Sequence, residues 1–266
     1  MSNFITVRDI GHFGRLGNQL FQIAAALGYS KMYDIPAKFP RWICNYDKID
    51  FAHYFKNKLD ETLNPSQISH VFNESDFAYI KLPRFNVPTN MHGYFQSCKY
   101  FEHCDSDIRH YFEPADFLVN DINTKYGDVL SGNTCSIHIR RGDYVGSAVH
   151  DVCTMQYYNT CIDRMKKDGI TKFIIFSDDI AWCKSKFTDG DFNFIEGNNV
   201  IFDLIAMSMC NHNIIANSSY SWWASYLNKN PSKTVYGPSD WFGHGSNIIN
   251  FETIYRKDII KINTKQ

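Results

Sequence analysis

Much of what would announce a function at a glance is missing from this chain. The formal net charge is −1 over 266 residues, with 27 basic against 28 acidic side chains. No surplus of either sign is available to recruit nucleic acid or another polyanion. The cysteines, Cys44, Cys98, Cys104, Cys135, Cys153, Cys161, Cys183 and Cys210, contain no Cys-x-x-Cys pair, the spacing of zinc and dithiol sites. Scattered through regular-looking segments, they read as small buried apolar residues, which implies a reducing compartment and no structural metal. No basic-then-apolar leader opens the chain, and no uncharged apolar run approaches the ~20 residues that span a bilayer. The expectation is a soluble, cytoplasmic protein, with peripheral contact at the inner face of the cell membrane left open.

What is present supports sizeable cores. With 44% hydrophobic residues, the length suits one large α/β domain or two small ones. Aromatic residues make up 16%, enough to furnish core and to leave faces that could stack on sugars or bases. Phe4 to Ile10 reads as a strand. It leads into the loop Gly11-His-Phe-Gly14-Arg15-Leu-Gly17-Asn18-Gln19. Leu16, Leu20, Ile23 and Leu27 then recur at helical spacing. Strand, glycine loop and helix together suit phosphate or sugar binding, although the loop has neither Gly-x-Gly-x-x-Gly nor the P-loop pattern. Prolines 36, 40, 65, 83, 88 and 114 break residues 31–130 into short pieces, with His92-Gly93-Tyr94-Phe95-Gln96 marking a strand and its turn. The Asn- and Asp-rich stretch 120–133 suggests the boundary of two domains, 1–130 on the acceptor side and 131–266.

The second half is rhythmic. Strand cores near 135–140, 172–176, 213–216 and 233–236 alternate with helical segments Met155–Lys167 and Asn199–Cys210, followed by Trp222–Leu227. Such alternation implies βαβ units and a parallel sheet, whose ligands sit beyond the carboxyl ends of its strands. Three of those ends are polar. Ser136-Ile-His138-Ile-Arg140-Arg141-Gly142-Asp143-Tyr144 alternates like a half-buried strand and delivers two guanidiniums. The planar fork of arginine suits phosphate. The second strand exits into Ser177-Asp178-Asp179, and the third into Asn217-Ser218-Ser219-Tyr220-Ser221 before a Trp-rich helix. Hydroxyls and amides at a helix start are apt phosphate ligands, and a carboxylate can accept from guanine N1–H and N2–H or from a ribose. Helix capping explains any one exit equally well; three on one edge describe a nucleotide site.

Those residues resemble the bacterial α-1,2-fucosyltransferases, glycosyltransferase family 11. The likeness covers nearly the whole chain and rests on Gly14–Gln22, His138–Tyr144, Phe176–Asp179 and Ile215–Trp223. It implies a GT-B-like fold of two Rossmann-like halves, with GDP-fucose held mainly by the C-terminal one. It further implies inverting, metal-free transfer of L-fucose to O2 of a terminal galactose on a glycan such as an O-antigen repeat, without a cofactor. By this resemblance Arg140 contacts the β-phosphate, His138 lies near guanosine and Asp178 or Asp179 reads guanine. Ser218 and Ser219 bind the phosphates, Arg141, Asn217 and the N-terminal loop residues Arg15 and Asn18 complete the donor-binding set, and Asn18, reaching the sugar or its β-phosphate, joins Arg140 and Asp143 among the catalytic candidates. Asp143 is the candidate base, with His150 and Asp151 close in sequence; the glutamate considered as base in α-1,6 relatives is replaced by Ala148.

Alternatives remain visible in the sequence. Asp105-Ser-Asp107 and Asp189-Gly-Asp191 have the Asp-x-Asp spacing of metal-dependent transferases, but neither follows an apolar strand. Arg141-Gly142-Asp143 is the tripeptide of adhesion ligands. A transferase using another sugar nucleotide would share the same polar exits. Trp42, Tyr46, Tyr94 and Phe95 either stack on an acceptor sugar or pack.

Overall fold

The computed structural model describes residues 3–264. The chain divides into two compact units, one running to Asp116 and including Asn250–Arg256, the other comprising Phe117–Ile249 and the segment from Lys257 onward. The polar stretch 120–133 is therefore not a linker. Most of it lies in a helix, Asp116–Leu130, whose Leu118, Ile122 and Leu130 are buried on one face at helical spacing.

In the first unit, strand β1 (Ile5–Thr6) is followed by helix α1 (Leu16–Tyr33), the hairpin β2 (Ile43–Cys44) and β3 (Ile49–Asp50), then β4 (His70–Asn73), β5 (Thr89–His92) and helix α2 (Asp105–Tyr111). Strands β1, β5 and β4 form a parallel sheet in that order. The expected strand Phe4–Ile10 shrinks to two residues because the chain turns at once: Ile10 N–H donates to Val7 O, and His12 and Phe13 N–H to Asp9 O. Helix α1 buries Leu16, Leu20, Phe21, Ile23, the alanines 24–26 and Leu27, which explains why small residues occupy its middle. Trp42 is core, not sugar platform. It is 1% exposed, stacks on Phe55 and meets Phe51 and Phe112 edge-on, and its Nε1–H donates to Gln19 Oε1 at 2.7 Å. Phe95 is likewise fully buried.

The second unit takes α3 (Asp116–Leu130) from its second residue on and continues β6 (Thr134–Ile139), α4 (Met155–Lys167), β7 (Lys172–Ser177), α5 (Ile180–Lys186), β8 (Phe192–Phe194), α6 (Val200–Met209), β9 (His212–Ile214), α7 (Ser219–Leu227), β10 (Val235–Pro238) and β11 (Ile259–Ile262). The sheet order is β11-β10-β9-β6-β7-β8, parallel throughout. The four expected strands and three helices are all present, and the structure adds the strands β8 and β11 and the helix α5. Succession reverses between β6 and β9, and that switch point is where open α/β sheets bind ligands.

Strand β6 is buried along its whole length, not half-buried. On one face Cys135, Ile137 and Ile139 join Tyr157, Cys161, Ile162 and Met165 of α4 in the core. On the other face Ser136 Oγ accepts from Asn213 Nδ2 at 2.7 Å; the same amide donates to Met207 O, and Asn213 Oδ1 accepts from Asn228 Nδ2 at 2.8 Å. Asn228 also donates to Cys210 O at 2.8 Å. This buried amide chain ties α6, β6 and β9 to the residue that ends α7. Removing one member leaves its partners unsatisfied, which costs more than a typical hydrogen bond contributes. Asn213→Ala should therefore lower unfolding stability by about 3 kcal/mol, read as a reduced urea midpoint at unchanged slope; a loss below about 0.5 kcal/mol would show that the network is dispensable.

Candidate functional site

The carboxyl end of β6 presents Arg140 and Arg141, both held by the end of β7. Arg140 Nη1 pairs with Asp178 Oδ2 at 2.8 Å, and Nη2 pairs with Asp143 Oδ1. Asp178 Oδ1 accepts the Arg141 backbone N–H at 2.8 Å. Arg141 Nε donates to Asp179 Oδ2 at 3.0 Å while the guanidinium lies 3.8 Å over the Trp182 ring. Gly142 permits this closeness, since a Cβ there would sit 2.5 Å from Asp178 Oδ2. The Arg140 side chain retains 18% exposure, so the fork is fixed yet reachable. The Arg-Gly-Asp tripeptide is accordingly no adhesion display, because its arginine is stacked and paired and its aspartate is bound to Arg140.

Below Arg140 lies Tyr144, whose ring centre is 5.4 Å from the guanidinium and whose hydroxyl donates to Asn217 O at 3.4 Å. Burial raises the Tyr144 phenol to about 12, so it remains a donor across neutral pH. Tyr144 thus joins the β6 exit to the β9 exit. There Ser218 caps α7, its Oγ accepting from Tyr220 N–H, and Ser219 opens the helix. The start of α7 presents backbone dipoles that favour an anion.

Several expected residues turn out to have other duties. The Asn217 side chain is no phosphate ligand, since Nδ2 donates to His150 O and Trp241 O at 2.9 and 3.0 Å and Oδ1 accepts from Cys153. It braces two loops. Asp179 is the N-cap of α5, with Oδ1 accepting from Trp182 N–H at 3.1 Å; that bond first, and Arg141 second, hold its carboxyl below the usual range. All four oxygens of Asp178 and Asp179 thus accept from the arginines and the start of α5. Asp151 accepts from Gly146 N–H at 3.0 Å, and His150 stacks on Tyr144 at 4.8 Å; both shape the loop after β6.

His138 is not at the strand end but inside it, 5% exposed. Its Nδ1 has no protein partner, and Tyr220 covers the ring at 5.3 Å. Burial, with Arg140 adding repulsion, lowers its pKa to about 3, so it is neutral in the working range. The Tyr220 hydroxyl donates to Val200 O at 2.5 Å, which brings the first turn of α6 to the same wall. One turn on, and on the same helix face, stands Asp203, which sequence reasoning missed. Burial raises its carboxyl to about 6; Oδ1 accepts from Asn198 Nδ2 at 2.9 Å, and Asn198 is held by Lys125. The signal was available: the lone charged residue, between Phe202 and Leu204, of a largely apolar helix.

In the first unit, Arg15 is exposed at the N-cap of α1 without a capping bond, and Asn18 Oδ1 accepts from Gln96 Nε2 at 2.8 Å. Gly14 has φ +79°, and a Cβ there would strike Asn18 and Tyr94. Neither Asp-x-Asp motif forms a joint carboxylate site. Asp105 and Asp107 part to Arg109 and Lys31, and Asp191 pairs with Lys166.

The profile of glycosyl transferase family 11 matches residues 2–263. The chain belongs to that family. An alpha-1,2-colitosyltransferase of Escherichia coli is 30% identical over 263 residues, 86% of this chain and 90% of its own length. A galactoside alpha-(1,2)-fucosyltransferase 2 of Hylobates lar is 26% identical over 241 residues, covering 82% and 68%. Among solved structures, the alpha-1,6-fucosyltransferase NodZ of Bradyrhizobium, soaked with GDP-fucose, matches with a TM-score of 0.55 at 14% identity over 85% of this chain and 93% of its own. That likeness shows a shared GT-B-like α/β fold. In this family 11 chain the strand-end residues of the second unit form one connected polar edge, and the His138–Tyr220 wall meets α6.

The neutral His138 makes a pH prediction. Its folded pKa of about 3 lies below the unfolded value of ~6.5. The unfolded chain therefore binds the extra proton, and stability is lost as pH falls from ~6.5 toward ~3, by up to ~1.4 kcal/mol per unit. Denaturation of His138→Gln between pH 7 and 4.5 should show a shallower decline than the parent; equal slopes would show that His138 is protonated in the folded chain.

Proposed function

We propose that this transferase moves L-fucose from GDP-β-L-fucose to O2 of a terminal galactose with inversion, without a metal, in the synthesis of a bacterial surface glycan such as O-antigen. The observation that carries it is the fixed Arg140 fork at the β6–β9 switch point, joined through Tyr144 to the start of α7. As the C1–O bond breaks through an oxocarbenium-like transition state, negative charge grows on the β-phosphate oxygen. A preorganised guanidinium and helix-terminal N–H groups stabilise that charge with little reorganisation. Arg140, Ser218 and Ser219 take the phosphates in this reading. His138 and Tyr220 line the guanosine side. Asp203 accepts from guanine N1–H and N2–H, the role first assigned to Asp178 or Asp179, which instead hold the arginines. The galactose hydroxyl attacks the face opposite the leaving phosphate and turns β into α. Asp143, paired with Arg140, is the carboxylate proposed to take its proton.

A second donor has specific support, because one relative is named a colitosyltransferase and colitose is fucose without its 3-hydroxyl. Assays across GDP-fucose, GDP-colitose, GDP-mannose and UDP-sugars with a β-galactoside separate the readings. GDP-fucose should give the highest kcat/KM. Turnover of GDP-colitose alone would reassign the donor, and turnover of only a UDP-sugar would overturn the GDP site. Arg140→Lys should lower kcat/KM about 10²-fold or more, since one lost transition-state hydrogen bond costs ~3 kcal/mol; near-parental activity would make Arg140 structural. Activity should persist in EDTA, and strict Mn²⁺ dependence would contradict the metal-free reading.

A further inference from the structure

Resting on that reading, we infer that the carboxyl edge of the first unit's sheet binds the acceptor as one neutral hexose ring, stacked at Tyr94 and hydrogen-bonded by His92 and Asp9. The side chains converge from two segments, the loop after β1 and the end of β5. Phe13 and Tyr94 are coplanar within 1° at 4.3 Å, and His92 continues the stack on Phe13 at 4.9 Å and 24°. Asp9 Oδ2 receives His92 Nδ1 at 3.1 Å, with side chains 34% and 41% exposed. A carboxylate on Nδ1 fixes the tautomer and leaves Nε2 as an acceptor; Nε2 makes no hydrogen bond among the described residues. An aromatic face with polar groups at its rim is the chemistry that recognises a pyranose, whose C–H face stacks while its hydroxyls bond outward. Asp9 Oδ1 meets Arg8 Nε at 3.4 Å, so the rim carries a paired charge and not a free cation for phosphate, while its remaining lone pairs accept from hydroxyls; that chemistry suits the acceptor sugar better than the nucleotide.

The platform is built, not incidental. Glu74, at the end of β4, accepts the N–H groups of Tyr94 at 2.7 Å and Phe95 at 2.9 Å. This holds Phe95 at φ +51°, a left-handed conformation that a bulky residue keeps only when its surroundings enforce it. Two residues before His92, on the same face of β5, Asn90 is fully buried and its Nδ2 finds no protein acceptor. A buried donor of that kind calls for a hydroxyl or a water.

The test is isothermal titration of the full chain, saturated with GDP, with methyl β-D-galactopyranoside. The parent should bind. Asp9→Asn, His92→Ala and Tyr94→Ala should each weaken the galactoside about tenfold or more while GDP affinity stays within about twofold. Circular dichroism reports folding, and if Tyr94→Ala does not fold, the two half-exposed positions decide. Unchanged galactoside affinity in the folded variants overturns the inference. So does GDP binding without galactoside binding in the parent, and that outcome leaves the donor reading standing. Failure of the parent to bind GDP would instead count against the donor site.

Discussion

The grip of one carboxylate on a strand end organises the second unit's site. Asp178, at the end of β7, receives the Arg140 guanidinium through one oxygen and the Arg141 backbone N–H through the other. Neighbouring parallel strands place their ends side by side, and Gly142 leaves the room that such an approach needs. A guanidinium held this way has lost most of its rotamer freedom before a ligand arrives, so binding need not supply that ordering. Arg141, stacked on Trp182 and paired with Asp179, makes the same turn rigid from the other side.

Rigidity at the strand ends depends on what lies beneath them. β6 carries an apolar face packed on α4 and a polar face tied by the Ser136–Asn213–Asn228 amides. A fully satisfied buried polar chain fixes register as well as stability, and register decides which residues of β6 reach the edge. A slip of one residue would exchange the faces of His138 and Arg140 with those of their neighbours. The neutral, buried His138 follows from that register: it sits on the polar face, two residues short of the exit, with Tyr220 over its ring.

Much of this was legible in the sequence because it is periodic. Alternation announced β6, short continuous apolar runs announced β7 and β9, and the intervening helices announced a parallel sheet, so the three polar exits could be collected without coordinates. Their individual duties could not. Asn217 looked like a ligand, but its amide reaches two backbone carbonyls distant in sequence, and no local pattern encodes that. Asp178 and Asp179 were expected to read guanine, and their partners, the two arginines and the start of α5, are set by a neighbouring strand end that no local pattern encodes. Asp203 escaped notice because its meaning lies in burial and in its helix-face relation to Val200, which contacts the hydroxyl of Tyr220. In the first unit, proline-broken segments hid the hairpin β2–β3 and the aromatic nest around Trp42, where packing between distant segments, not local preference, sets the structure.

A shared fold does not by itself name a reaction. What narrows it here is family membership; the guanidinium fork and the helix start at the switch point are proposed to face a departing nucleoside diphosphate. The most direct test is the linkage of the product formed by the purified chain from GDP-fucose and methyl β-D-galactopyranoside, read by two-dimensional NMR. An α-fucosyl residue on galactose O2 is the predicted result. A β-configured product, or fucose on another galactose oxygen, would contradict the account.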